Sequence, residues 1–327
     1  MQRHTPESVA DAAAVAALLQ IGAEIGADQV LDSGEIFSAS DMAKTAGVPV
    51  AGVTAYLAAL LAAGLIVETE VPDEFQTAAD YTDLRHQAGY VSWAMHANGP
   101  FIDNARAFLT DPAQAARTHR RNGRRVAVSS RWIGERAFYP QIIEQVVASG
   151  ALRVTDLGAG AGALLIKLLQ ENPARTGTAV DSNGAACAAA REAARACEVH
   201  DRLTVAERPI ESLVDDPGPV AGAEAILACY VMHDIVADER TAQNVLGALR
   251  DALAPGGFLA VADAVSYAQQ PQERKFSALF TYLHATFMSV LLPTEQEWLD
   301  TFDKAGFSRT RTVPIGLPGG RLFVASR

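Results

Sequence analysis

A chain of 327 residues, 49% hydrophobic and 20% charged, has the composition of a globular protein of about two domains. Its net charge of -11 disfavours nucleic acid or an anionic membrane as partner, because phosphate binding takes clustered cations. Three scattered cysteines, Cys187, Cys197 and Cys229, have neither metal-ligand spacing nor the pattern of a disulfide framework, which fits a reducing, cytoplasmic setting.

In chain order, the opening MQRHTPESVADAAAV carries acids too early for a signal peptide. Residues 8–25 read as a helix, with Ser8 able to cap it and Ala, Leu and Ile along one face. Residues 38–47 read as a short helix ended by Gly47; Pro49 opens a second over 51–64, and 65–70 follow as a strand. The longest apolar run, 53–67, is 15 residues with Thr54 inside it, too short to cross a bilayer. Helix, turn, helix and strand make a winged-helix pattern. A recognition helix needs side chains that reach base edges and phosphates, yet 51–65 holds no charged residue. That stretch is expected to pack against another subunit, which makes 1–110 a helical, winged-helix dimerisation domain and the protein a homodimer.

Residues 111–145 are expected to be connecting helices that line a cleft. Within them ARTHRRNGRR, 116–125, sets five arginines into an acidic protein. One reading is a solvated loop; the other is that one or two arginines hold an anionic substrate, since guanidinium pairs bidentately with carboxylate. Residues 146–327 alternate β-rich runs with helical ones. Strands are expected at 152–157, 177–181, 203–206, 223–231 and 258–264, with a closing pair near 309–314 and 321–325. This is an α/β pattern: a parallel, doubly wound, Rossmann-like sheet ending in an antiparallel hairpin.

The first of these strands runs through Asp156 into Leu157-Gly158-Ala159-Gly160-Ala161-Gly162 and then a helix. Glycines let the backbone approach a ligand closely, and the helix N-terminus favours an anionic group. Asp181 ends the next strand, where an acid would meet ribose hydroxyls. Gly158, Gly160 and Ala163 also satisfy the dinucleotide pattern. Three features favour S-adenosylmethionine instead: Asp156 beside the loop, a helical domain that precedes it, and the final hairpin.

The loop, the VDSN segment at 180–183, YVMHD at 230–234, LAPGGFLAVADA at 253–264 and the N-terminal winged helix together resemble the class I small-molecule methyltransferases of the O-methyltransferase type. The resemblance implies cofactor contacts from Asp156, Gly158, Gly160, Asp181 and Ser182, and from Glu207, Arg208 and Pro209 after the third strand. The chain departs from the family there: the usual Gly-Asp gives way to Ala206-Glu207-Arg208-Pro209-Ile210, with Pro209 near the Asp position.

Two histidines carry the chemistry. His233, followed by Asp234, falls at the carboxyl end of the strand expected at 223–231, the edge where open α/β sheets bind ligands. In the family such a histidine deprotonates a phenol, work that suits an imidazole near neutral pH. His284 borders the apolar stripe Phe276, Leu279, Phe280, Leu283 and Phe287 of a helix expected over 272–290. That helix, followed by LPTEQEW at 292–298, resembles the 2-oxo acid C-methyltransferases, in which two such histidines bind a non-haem metal. The resemblance implies iron or zinc on His233 and His284, a 2-oxo acid as substrate, its carboxylate held by Arg117, and methylation of the adjacent carbon. Two imidazoles leave positions open for a keto-carboxylate chelate, and a Lewis acid would stabilise the enolate. Asp234 is left as proton acceptor, third ligand or orienter of an imidazole. The alternative is a metal-independent O-methyltransferase with His233 as general base; a third reading is a non-enzymatic regulator that keeps the fold. Phe276, Phe280, Phe287 and Trp298 read either as an aromatic pocket or as core.

Overall fold

The computed structural model describes residues 6–327 of the chain, so the first five residues of the opening stretch lie outside it. Two compact units share the chain: residues up to Ala105 with Arg117–Glu135, and Arg106–Ala116 with Arg136–Arg327. The stretch 111–145, expected as one set of connecting helices, is thus divided between them.

In the first unit a helix covers Pro6–Ile25, so Ser8 lies within it rather than at its cap. The Ala39–Ala46 helix is held by a capping box: Asp41 N–H donates to Ser38 Oγ, and Ser38 N–H donates to the Asp41 carboxylate at 2.9 Å. Gly47, at φ +65°, ends it in the left-handed conformation that only glycine adopts freely. The Val50–Ala62 helix then buries Val53, Tyr56, Leu57 and Leu60, one face at helical spacing, and leaves Ala51, Thr54, Ala55, Ala58 and Ala62 exposed and uncharged. Three short strands, β1 (Phe37–Ser38), β2 (Ile66–Glu68) and β3 (Glu74–Thr77), pair antiparallel in the order β1-β3-β2 and give these helices a small wing. The segment 117–135 joins this unit through charge: Arg131 pairs with Asp28 at 2.9 Å and Asp32 at 3.0 Å, and Glu135 pairs with Arg85, which also pairs with Asp32. Two of the five clustered arginines are engaged the same way, Arg124 and Arg125 both meeting Glu24.

Ser8–Ile25 is apolar enough over 18 residues, at mean hydropathy 1.4, to span a bilayer by length and composition, which the 53–67 run alone did not indicate. Ala16, Leu19 and Ala23 of that helix are buried in the unit's own core with Leu57, Leu60 and Trp132. All three cysteines are free thiols.

The second unit is built on seven strands: β4 (Arg153–Leu157), β5 (Thr176–Asp181), β6 (Leu203–Glu207), β7 (Ala225–Cys229), β8 (Phe258–Ala264), β9 (Arg309–Pro314) and β10 (Gly320–Ser326). Their order is β6-β5-β4-β7-β8-β10-β9. The first five are parallel, and β10 runs antiparallel to both β8 and β9. Every residue of β8 is buried, as expected of a strand covered on both faces. The strand order reverses between β4 and β7, the crevice where doubly wound sheets bind ligands. Trp298 lies in the core behind this sheet, fully buried, stacked on Phe323 at 5.4 Å and Phe302 at 5.9 Å, with its indole N–H donating to Ala264 O at 3.0 Å. The LPTEQEW segment is accordingly a structural feature: Thr294 and Glu297 form a capping box, and Trp298 is core rather than pocket lining.

Candidate active site

At the carboxyl end of β4 the chain turns through the glycine loop. Gly158 has φ +66°, and a Cβ there would overlap the Val231 side chain from the turn after β7. The loop and the histidine turn therefore touch across the crevice. Gly160 has φ +56° with open space where a Cβ would stand. Its N–H donates to Asp181 Oδ2 at 2.8 Å, while Asp181 Oδ1 accepts from Asn183 N–H at 2.8 Å. Asp181, expected as a ribose ligand, thus also pins the loop to the end of β5.

Asp156 is 4% exposed, and burial together with the nearby Asp181 carboxylate pushes its pKa up to about 7. A buried carboxylate beside an open glycine loop suits a cationic group, which would favour its charged form. The amino acid end of S-adenosylmethionine carries an ammonium and a sulfonium, and the residues present fit it.

The strand expected over 223–231 ends at Cys229. Tyr230 takes φ +56°, a left-handed conformation uncommon outside glycine, and turns the chain into the Met232–Val236 helix. His233 sits in the first turn of that helix, 4% exposed. Its Nδ1–H donates to Asp263 Oδ1 at 2.7 Å. Asp263, at the end of β8 and fully buried, also accepts backbone N–H groups from Met232 at 3.1 Å, His233 at 3.0 Å and Ala264 at 2.7 Å. With Nδ1 committed as donor, the neutral ring carries its lone pair on Nε2. Asp263 was not singled out in the sequence; its signal is an acid at the carboxyl end of the strand beside the one that leads to His233.

Asp234, left open as proton acceptor, third ligand or orienter, makes no hydrogen bond to the imidazole. Its side chain is 61% exposed, and Oδ1 lies 3.7 Å from His233 Nε2, beyond hydrogen-bond range. His284, on the Arg274–Phe287 helix, is brought to His233: the ring centroids are 4.9 Å apart and the planes nearly perpendicular. His284 Nδ1–H donates to Phe280 O at 2.8 Å, and the Phe280 ring stacks on the imidazole at 4.2 Å. Tyr230 and Phe138 continue the aromatic wall, 5.1 Å apart, with Phe280 6.1 Å from Tyr230.

A resident metal fits this donor set poorly. Both Nδ1 atoms are committed, so the pair offers two nitrogens, and the described residues hold no group of three or more His, Cys, Asp or Glu able to bind an ion. Protein zinc sites and non-haem iron triads supply at least three protein ligands.

The other expected residues are dispersed. Ser182 is exposed beside Asp181; Glu207 is exposed at the end of β6, its carboxylate close over Gly184; Pro209 is exposed. The Arg208 guanidinium bonds Ser212 Oγ at 2.8 Å and Asp216 at 2.7 Å, and only its backbone N–H reaches back, to Asp181 O at 2.9 Å. Arg117 is exposed on the last turn of the Pro112–Thr118 helix and belongs to the first unit, whereas both histidines belong to the second.

A family model described as a methyltransferase domain matches residues 155–259, a stretch that includes the glycine loop, Asp181 and His233. Among curated proteins, the 3-hydroxy-5-methyl-1-naphthoate 3-O-methyltransferase of Streptomyces sahachiroi is 31% identical over 191 residues, 57% of this chain and 51% of that protein. Aclacinomycin 10-hydroxylase RdmB of Streptomyces purpurascens is 33% identical over 160 residues, 49% of this chain and 41% of that protein. Ribosomal RNA large subunit methyltransferase G of Pseudomonas paraeruginosa is 37% identical over 132 residues, 39% and 32% of the two chains. The chain thus spans about half, or less, of the length of these relatives. Among solved structures, the pyocyanin biosynthetic protein PhzM aligns with a TM-score of 0.58 at 19% identity, over 95% of this chain and 94% of that one. Human N-acetylserotonin methyltransferase aligns at 0.55 and 16% identity, over 96% and 94%. Residues 155–259 thus match a methyltransferase domain model, and over nearly its whole length the chain shares the fold of these solved structures, a Rossmann-like α/β sheet preceded by an N-terminal helical region.

Proposed function

We propose that the protein is an S-adenosylmethionine-dependent small-molecule O-methyltransferase in which His233 is the general base for a hydroxyl on an aromatic acceptor. The observation that carries this reading is the Asp263–His233 pair beside the glycine loop. Asp263 holds the ring with Nε2 as the proton-accepting atom and stabilises the imidazolium once the proton has arrived. S-adenosylmethionine, when bound, supplies a methyl group made electrophilic by its sulfonium. Asp156, Gly158, Gly160, Asp181 and Ser182 hold that cofactor, with Glu207 and Pro209 at the adenine end and the Arg208 backbone joining them to β5. Phe280, Tyr230 and Phe138 present flat apolar surface to the acceptor, and the naphthoate acceptor named for the Streptomyces sahachiroi relative is of that kind. Burial of His233 and of the Phe280 ring supports a dry site, where a fixed base is worth more than in water.

The 2-oxo acid reading, with iron or zinc on His233 and His284 and Arg117 on the carboxylate, keeps one supporting observation, the 4.9 Å approach of the two rings. It predicts stoichiometric metal that is lost in both His233→Ala and His284→Ala. We further read the working form as a homodimer, its partner a second copy meeting the uncharged faces of the N-terminal helices, with neither nucleic acid nor membrane as partner.

The test is to incubate purified protein with S-adenosylmethionine and a panel of phenolic acids, and to weigh the products. Gain of one methylene in mass is expected; gain of one oxygen would point to hydroxylation, the activity named for RdmB. His233→Ala should lower kcat by about 100- to 10,000-fold with cofactor affinity retained. A variant as fast as wild type would end the case for His233 as base.

A further inference from the structure

Two residues given no role above, Ser277 and Thr281, lie on one stripe of the Arg274–Phe287 helix with His284, at spacings of four and three. All three are buried, at 2%, 4% and 1% exposure. Hydroxyls so placed need partners. Each receives a backbone N–H from the segment that leaves β8: Ala268 donates to Ser277 Oγ at 2.9 Å, and Tyr267 donates to Thr281 Oγ1 at 3.1 Å. Ser277 Oγ donates in turn toward Val265 O at 3.5 Å. That segment starts at Asp263, which fixes the His233 ring. One short stretch, 263–268, therefore grips His233 at its front and, through two hydroxyls, the helix bearing His284 and Phe280 at its back. Tyr267 is 53% exposed at φ +42°, a left-handed conformation that is unfavourable for an L-residue and persists only where neighbours hold it. The bond to Thr281 is one such hold.

We propose that Ser277 and Thr281 are positioning residues, which index the helix along its axis against 263–268 and so set the separation of His284 from His233. The inference rests on His233 being the reacting base. The hydrophobic drive is non-directional and by itself sets no axial register, whereas a misplacement of about 1 Å at a reacting centre costs on the order of 100-fold in rate. Hydrogen bonds from fixed backbone donors do not tolerate it.

The experiment uses full-length protein with isotope-labelled histidine, free of cofactor and acceptor, and reads the nuclear Overhauser cross-peak between the His233 and His284 ring protons. Thr281→Val keeps side-chain volume and removes the acceptor, Ser277→Ala removes the other, and Thr281→Ser restores a hydroxyl. The cross-peak is expected in wild type and Thr281→Ser, weakened in each single removal and lost in the double one. Thr301→Val, which deletes the hydroxyl bond to Glu297 O on another helix, controls for general loosening and should keep it. In turnover, the double variant should lose about 100-fold in kcat with the cofactor KM unchanged. A double variant with the wild-type cross-peak overturns the proposal; if that variant does not fold, Thr281→Val alone decides in the same way. A chain that shows the expected cross-peak pattern yet transfers no methyl to any acceptor upholds the positioning role and sinks the proposed reaction instead.

Discussion

Burial lifts the Asp156 carboxyl to about 7, so between about pH 4 and pH 7 the folded chain carries a proton there that the unfolded chain has released. Stability therefore falls as pH rises through that window, by an amount on the order of 2–4 kcal/mol once the group is ionised. Asp156→Asn removes the cost. Ligand-free Asp156→Asn should melt above wild type near pH 8, with the advantage shrinking toward about pH 4, and should bind S-adenosylmethionine far more weakly. Equal melting temperatures at both pH values would show that burial does not act on this group. Asp263→Asn makes a different demand. If the amide oxygen keeps the Met232 and His233 N–H groups, the NH2 faces His233 Nδ1 and Ala264 N–H, which forces the tautomer whose Nε2 is a donor. We expect kcat to fall by about 100-fold or more and stability by about 1–3 kcal/mol, read from turnover and urea melts with cofactor affinity as the control. His233 stood out in the sequence because it follows a strand and precedes an acid. Asp263, which holds its ring, did not, because 30 residues separate the two and only the adjacency of β7 and β8 joins them. The side-chain partner of Arg208 was hidden for a related reason: Asp216 sits eight residues on, in the turns after β6.

Among the elements, the strands of the second unit were the most readable. Each is a β-rich run between breakers, and observed ends such as 153–157, 203–207 and 258–264 lie within a residue of those expected. Two residues shifted the reading at β7: Tyr230, whose left-handed φ ends the strand early, and Val231, which turns back against Gly158. No periodicity announces a left-handed tyrosine. Trp298 shows the opposite limit, where a motif stands out for reasons of packing alone. Trp298→Ala should cost about 3–5 kcal/mol in denaturant unfolding, since it empties a site lined by Phe302 and Phe323. Trp298→Phe should cost less while leaving Ala264 O without its indole donor. A Trp298→Ala variant that unfolds like wild type but fails to bind acceptor would return the residue to the pocket.

For the whole molecule, the exposed side chains worth testing are apolar. Ile21 is 49% exposed, Val50 48% and Leu61 36%, on N-terminal helices with few charges. A protein with net charge -11 that leaves such faces bare invites a second copy there. Ile21→Lys with Leu61→Lys should convert a dimeric wild type to a monomer in sedimentation equilibrium, with the fold retained by circular dichroism. A wild type that sediments as a monomer would exclude the homodimer.

The way the chain is shared between the two units has a practical corollary. Phe108 is 1% exposed, meets Phe287 at 5.0 Å, and belongs with the second unit although the 19 residues Arg117–Glu135 of the first lie between its segment and Arg136. No single cut yields either unit whole. A gene fragment opening at residue 136 would drop the plug that covers the end of the His284 helix, whereas an internal deletion that keeps 106–116 would retain it. Recombination between relatives at the nominal domain border would shuffle that plug against a foreign helix, so exchange of whole units should succeed only when 106–116 travels with the sheet.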